Sequence, residues 1–245
     1  MTLIEQTDRT LTMAVNQFAG HSIFLDKLMY YILDTALLNG GVFLAAYCWL
    51  WFETDENGVH SQRRNVVVGQ MAILGVAGIV VLLKVFLPFR HNPLNSPDLG
   101  LRLAFGVDPA SLATSNSFPS GHAALFFALS VPLWRRSRWL GAASAVWIFL
   151  SICLPLLFLG DHWPSDIVAG ATIGIASMLL LCRLIGATRL PGRLLRFSKT
   201  HPSAFYAMAW MLALETALRF ADAEKFASGA GRLAQALLYL PPLPR

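Results

Sequence analysis

The chain has 245 residues, of which 56% are hydrophobic and 13% charged, with a mean hydropathy of +0.55. A water-coated domain of this length carries about 25% charged residues, so composition excludes an ordinary soluble enzyme and predicts an all-α, polytopic membrane bundle in one unit. The net charge of +5 and pI near 9.4 do not make it a nucleic-acid binder, because the basic residues fall between apolar runs rather than on one soluble face.

Residues 1–35 are expected to form an N-terminal segment at the membrane interface. Glu5, Asp8 and Arg9 interrupt the pattern of a cleaved secretory leader. Leu3, Ile4, Leu11, Val15 and Phe18 approximate one helical face, so two readings stand: a helix lying on the membrane, or a frayed tail. The membrane domain is expected over residues 36–220, followed by a C-terminal tail over 221–245. A spanning helix needs roughly 20 mostly apolar residues, and about six stretches qualify: 36–52, 66–87, 119–134, 139–159, 167–184 and 203–220.

Residues 30–35 extend the first stretch. The third is short and carries Pro132, but short connections tie it to its neighbours. The sixth places Glu215 and Arg219 in lipid, where i,i+4 pairing would hold them. Cys48, Cys153 and Cys182 lie inside apolar runs without CxxC spacing and read as buried packing residues, not as a disulfide or metal site.

Lysines and arginines divide unequally between alternate loops. One side holds nine: Arg63, Arg64, Arg135, Arg136, Arg138, Arg189, Arg193, Arg196 and Lys199. The other holds two, Arg90 and Arg102. The positive-inside rule puts the first set in the cytoplasm and the loops at 88–118 and 160–165 outside. No Asn-x-Ser/Thr site falls in a credible outer loop and no eukaryotic retention signal is present, which points to a bacterial inner membrane.

Two stretches at the outer edge carry chemistry. In Pro119-Ser120-Gly121-His122, Ser120 is a favoured helix N-cap and Gly121 lets a ligand approach the backbone. The unpaired amides of a first helical turn suit a phosphate, and His122 beside it is placed to protonate a departing oxygen. The plainer reading is a cap followed by an interfacial histidine. In His162-Trp163-Pro164-Ser165-Asp166, a carboxylate four residues on can accept from one imidazole nitrogen and leave the other as nucleophile or base. Alternatively, Asp166 only favours the positive end of its helix. Gly160, Gly170 and Gly174 read as close-packing positions. Lys84, Arg90 and His91 precede both stretches; such residues snorkel at a bilayer edge, or complete a cationic cup for phosphoryl transfer.

These segments resemble the three signatures of the type-2 phosphatidic acid phosphatase superfamily of membrane lipid phosphatases, over about Lys84 to Gly170. The second signature is intact as Pro119-Ser120-Gly121-His122, and the His-x3-Asp half of the third is present as His162 to Asp166, followed by Ile167-Val168-Ala169-Gly170. The resemblance implies a six-helix fold with outward active-site loops and no cofactor or metal. It also implies that His162 attacks phosphorus, Asp166 orients it and His122 protonates the leaving group. Lys84, Arg90, Ser120 and the Gly121 amide would then bind phosphate.

There are two departures. The first signature places Arg seven residues after Lys, where this chain has His91, with Arg90 one residue early and Pro93 three beyond it. A similar Arg-x-x-Pro arrangement occurs in the lipid A phosphotransferase branch. The Ser-Arg pair that ends six residues before the third-signature histidine is Pro155-Leu156 here, and Asp161 adds negative charge beside His162. Either another cation fills the gap, with Arg102 and His91 the candidates, or the enzyme is weak, or the chain binds phospholipid without turnover; retained catalysis is the favoured expectation.

The function expected is a membrane lipid phosphatase or phosphotransferase acting through a phosphohistidine, with a polyprenyl pyrophosphate the favoured partner among anionic lipids that include lipid A. A non-catalytic lipid-phosphate binder or transporter on the same fold is the alternative. A serine hydrolase using Ser120 stands third, because no Gly-x-Ser-x-Gly elbow surrounds it.

Overall fold

A computed structural model describes residues 2–53, 59–108 and 116–218, and every regular element among them is helical. Helix α1 is Leu3–Asn16 and α2 is Ile23–Asp34. A π turn, Leu37–Gly41, leads into α3, Val42–Phe52. Then follow α4, Val59–Phe86, α5, Gly121–Arg136, and α6, Arg138–Phe158, which contains a second π turn at Phe149–Cys153. Pro164–Gly186 is α7, Leu190–Thr200 is α8 and Pro202–Ala217 is α9.

Among the described residues, three helical stretches are long and apolar enough to cross a membrane: Gln62–Phe86, Arg138–Phe158 and Pro164–Gly186. The pair Ile23–Asp34 and Leu37–Phe52, bent by 59°, makes a fourth if it is one span. The six expected spans are thus not all independent apolar rods. At the bend, the Asn39 side chain donates to the carbonyls of Ile32 and Leu33 at 3.0 and 2.6 Å, supplying partners the broken helix lacks.

Helix α5 has 16 residues, about 24 Å at 1.5 Å per residue. It packs against α4, α6 and α7, and Ala123, Ala124, Phe126, Ala128, Leu129, Val131 and Leu133 are all buried. A central helix meets protein rather than lipid, so its apolar run can be shorter. The outer faces of α4, α6 and α7 instead expose Leu82, Val85, Phe149, Leu150, Leu179 and Leu180. In the last expected stretch, Arg219 lies outside the described residues, while Glu215 Oε2 is buried with no hydrogen-bond partner among the described ones.

Contact between α5 and α7 rests on two glycines. A Cβ at Gly170 would lie 2.3 Å from the Ser120 carbonyl oxygen, and one at Gly174 would lie 2.0 Å from that of Ala124. The backbones approach as closely as small-residue helix pairs in membranes do. Gly174→Leu is expected to force α7 off α5, costing about 1–3 kcal/mol or more; a lost or broadened size-exclusion peak and a lowered melting temperature in detergent would register it. Gly160 acts differently from expectation: its φ of +70° and its carbonyl, which accepts from Leu94 N at 2.9 Å, make it the left-handed turn after α6. Among the cysteines, Cys153 and Cys182 are buried, but Cys48 is exposed on the outside of α3.

The arginine-rich loops gather at one end. Arg136 makes a two-point pair with Glu53, at 3.0 and 2.8 Å. Arg63 Nε donates to the Trp51 carbonyl at 3.1 Å and its guanidinium stacks over that indole, while Arg64 caps the Gly186 carbonyl. Helix α4 starts there and carries Lys84 to the opposite end, about 30 Å away by helical rise.

Helix α1 is not a frayed tail. Thr2 and Glu5 form a reciprocal capping box at its start. Its polar residues Asp8, Thr12 and Asn16 are buried against the bundle, while Leu3, Ile4, Leu11 and Phe18 are exposed. Asn16 holds the outer loop, accepting from Arg102 N at 2.8 Å and donating to the Arg102 and Phe158 carbonyls, both at 3.0 Å. Asp26 of α2, fully buried, accepts from the amides of Gly20 and Phe105.

Candidate active site

At the Lys84 end of the bundle, α5 and α7 begin side by side. The Ser120 amide donates to the Asp166 carbonyl at 3.1 Å, so the two histidine stretches are stitched through their backbones. Ser120 is fully buried and its hydroxyl accepts from Ala123 N at 3.4 Å, the N-cap the sequence foresaw. That role counts against Ser120 as a nucleophile. A Cβ at Gly121 would stand 3.7 Å from Lys84 Nζ, which places the ammonium group against the first turn of α5.

The two histidines converge. Their ring centroids are 6.5 Å apart with planes inclined at 70°, His162 buried and His122 half-buried. His162 Nδ1 lies 2.8 Å from the Ser117 carbonyl oxygen and 3.4 Å from the Ser117 hydroxyl. A carbonyl can only accept, so Nδ1 carries the proton and Nε2 keeps its lone pair.

Asp166 supports His162 less directly than the i,i+4 spacing suggested. Its Oδ2 is 3.9 Å from Nδ1, beyond hydrogen-bond reach. The first turn of α7 directs that oxygen to Trp163 N, at 3.0 Å, and to the Ser117 hydroxyl. The carboxylate therefore caps its own helix and acts on the imidazole through space and through Ser117. The capping reading of Asp166 is the one its hydrogen bonds show directly, and the group is fully buried.

Arg90 enters the site despite its shifted position in the first signature. Its amide donates to Asn116 Oδ1 at 3.1 Å, and its carbonyl accepts from Ser117 N at 3.0 Å. These bonds fix the loop so that Nη1 reaches Asp166 and Ser165 Oγ, the latter at 2.8 Å, while Nη2 reaches Asp8 Oδ2 at 2.8 Å. The guanidinium lies 5.2 Å from the centre of the Trp163 ring, and Trp163 Nε1 donates to the His91 carbonyl at 2.9 Å.

Neither expected substitute for the missing arginine points inward. Arg102 is exposed and its Nη1 reaches the Gln17 carbonyl at 3.4 Å; His91 is exposed with its ring against Phe89. Leu156 itself is fully buried in the core. Asp161 joins the histidines instead: one nitrogen of His122, one of His162 and an Asp161 oxygen lie within 4.8 Å of one another. Two imidazoles and a carboxylate are a donor set that suits a divalent transition metal, a cluster invisible in the sequence because folding alone assembles it.

Sequence reasoning missed Ser117, Asn116, Ser165 and Asp8. The first three adjoin or lie within the recognised stretches, and proximity was their only signal. Asp8 had one: an acid on the polar side of an amphipathic helix.

The family profile described as PAP2 superfamily matches residues 66–190. Lipid A 1-diphosphate synthase of Escherichia coli is 26% identical over 66% of this chain, which spans 65% of that protein's length, just under two thirds. Undecaprenyl-diphosphatase BcrC of Bacillus subtilis is 24% identical over 69% of this chain and 80% of its own. Lipid A 4'-phosphatase of Bacteroides thetaiotaomicron is 38% identical over 31% of this chain and 38% of its own. No solved structure matches.

Proposed function

Because the chain belongs to the PAP2 superfamily, we propose that it is a multi-pass membrane enzyme that removes or transfers the terminal phosphate of a lipid phosphate or diphosphate, with a polyprenyl diphosphate as the favoured substrate. The observation that carries this reading is the facing pair of imidazoles, 6.5 Å between centroids, beside Lys84 and the first turn of α5. Relatives named for undecaprenyl diphosphate and for lipid A support the substrate class.

His162 Nε2 attacks the terminal phosphorus. As the new N–P bond forms, the bond to the bridging oxygen breaks, and His122 delivers a proton to that oxygen. The lipid monophosphate leaves. Water then gives a proton to His122 and attacks the phosphohistidine, releasing inorganic phosphate and restoring His162; an acceptor lipid hydroxyl or phosphate in place of water gives transfer. Lys84, Arg90 and the Gly121 amide neutralise charge on the three phosphoryl oxygens. Ser120 holds the turn that presents those amides.

The nine-to-two distribution of basic residues supports an outward-facing site in a bacterial inner membrane. There the isoprenoid tail stays in lipid while the diphosphate reaches the histidines.

Purified protein in detergent should release inorganic phosphate from undecaprenyl or farnesyl diphosphate, and an acid-labile, base-stable phosphoryl label should map to His162. Absence of release and of transfer with every lipid phosphate would overturn the reading. Leu156, buried in the core with Arg102 and His91 both turned outward, favours the non-catalytic binder; equal cellular activity of wild type and His162→Ala would establish that alternative. Ser117→Ala removes the hydroxyl from Asp166 but keeps the carbonyl on Nδ1, so kcat should fall only about tenfold, as one charge-assisted hydrogen bond is worth. Steady-state kinetics checks it, and an unchanged kcat would show the hydroxyl idle.

A further inference from the structure

We propose that Asp8, on the N-terminal helix α1, is a positioning residue that aims the Arg90 guanidinium at the substrate phosphate. The proposal rests on the phosphoryl-transfer reading above and adds a residue outside the 66–190 stretch that the family profile covers.

Asp8 is almost fully buried yet belongs to a helix whose other side is apolar and exposed. Its Oδ1 accepts from Ser165 N at 2.8 Å. Its Oδ2 accepts from Ser165 Oγ at 2.6 Å and from Arg90 Nη2 at 2.8 Å. Ser165 Oγ in turn accepts from Arg90 Nη1 at 2.8 Å. Asp8, Ser165 and Arg90 therefore close a ring of hydrogen bonds at the start of α7, one residue before Asp166.

The charge arithmetic explains why a second carboxylate is needed. Arg90 already touches Asp166 through Nη1. With Asp166 as its only acidic neighbour, the guanidinium would turn both forks onto it, the favoured bidentate arrangement. Arg90 would then be spent neutralising the group that supports His162. Asp8 takes the second fork, so the guanidinium plane is held across two carboxylates with a side-chain exposure of 31%. The remaining N–H groups stay available for a phosphoryl oxygen as charge builds on it in the transition state. Stacking on Trp163 fixes the same plane from one face.

The decisive variants are Asp8→Asn, nearly isosteric without the charge, and Asp8→Glu, which keeps the charge on a longer arm. Asp8→Asn is expected to lower kcat about 10–100-fold with KM changed less than about threefold, the pattern of an interaction made in the transition state. Affinity for orthovanadate, which mimics the five-coordinate phosphorus, should weaken about tenfold or more, while affinity for inorganic phosphate changes less than about threefold. Isothermal titration calorimetry reads both affinities without turnover. Asp8→Glu should melt as wild type does and recover part of the lost kcat. Arg9→Ala, on the same helix, breaks only the exposed pair with Asp98 and should leave the kinetics unchanged.

An unchanged kcat and vanadate affinity in a folded Asp8→Asn protein would overturn the proposal, as would equal weakening of vanadate and phosphate. If Asp8→Asn does not fold, Asp8→Glu decides: wild-type kcat there, despite the displaced carboxylate, also overturns it. A wild type that releases no phosphate refutes the parent reading instead, and the vanadate comparison still judges Asp8.

Discussion

Replacing His162 with alanine is expected to abolish turnover, lowering kcat by roughly 10⁴-fold or more, as removal of an enzymatic nucleophile does. The size of the effect follows from the geometry. Nδ1 is committed to the Ser117 carbonyl, so Nε2 is the one nitrogen of that ring able to attack. The folded state should survive, because the loss is one hydrogen bond to a backbone carbonyl, about 1 kcal/mol, plus a modest cavity. Phosphate release and acid-labile labelling should vanish together while the melting temperature stays within a few degrees. His122→Ala tests the other half of the pair. Its defect should be about 10²–10⁴-fold on a lipid diphosphate, the usual worth of general acid catalysis. It should shrink sharply on p-nitrophenyl phosphate, whose leaving group needs no proton. Equal defects on both substrates would remove His122 from the acid role.

His122, His162 and Asp166 were legible in sequence because their chemistry is local. A cap, a glycine and a histidine in consecutive positions define one helix start, and His162 to Asp166 define another. What the spacing could not reveal was how the two starts meet. Ser117 orients His162 from a distant part of the chain through its backbone carbonyl, which accepts from Nδ1, a relation that no residue type announces. Asp166 looked like the direct partner of His162 because i and i+4 share a helical face; at a first turn, however, the capping amide of Trp163 claims the carboxylate.

The count of six spans goes unconfirmed for a related reason. Hydropathy detects helices that face lipid, and α5 faces protein on nearly every side, so its 16 residues do not form an apolar rod of spanning length. Helix α1 was legible as amphipathic, with Leu3, Ile4, Leu11 and Phe18 outward. The side that meets the protein is the other one. The polar stripe Asp8, Thr12 and Asn16, spaced four apart, buries itself against the loops around the site.

Arg90→Ala should do more damage to the folded state than any other change in the site. Asp8 and Asp166, with side-chain exposures of 3% and 0%, both pair with this guanidinium. Truncation leaves two buried carboxylates facing each other without a cation. Breaking a buried pair by removing one partner costs about 3–5 kcal/mol, and two acids depend on this arginine. The protein should therefore extract poorly or melt many degrees lower, with no measurable turnover.

Lost activity alone would not separate phosphate binding from folding, so the cycle with Asp8 is the useful measurement. In Asp8→Asn/Arg90→Ala, one of the two stranded charges is gone, and the double variant should be more stable than Arg90→Ala alone although it carries one more substitution. Arg90→Lys should recover most of the folding, since an ammonium group can sit between the acids. It should remain about 10²-fold slow, because a point charge cannot bridge Asp8, Asp166 and a phosphoryl oxygen as a planar fork does. If thermal melts show the two destabilisations simply adding, Arg90 does not hold the carboxylates apart, and its contribution is confined to the phosphate.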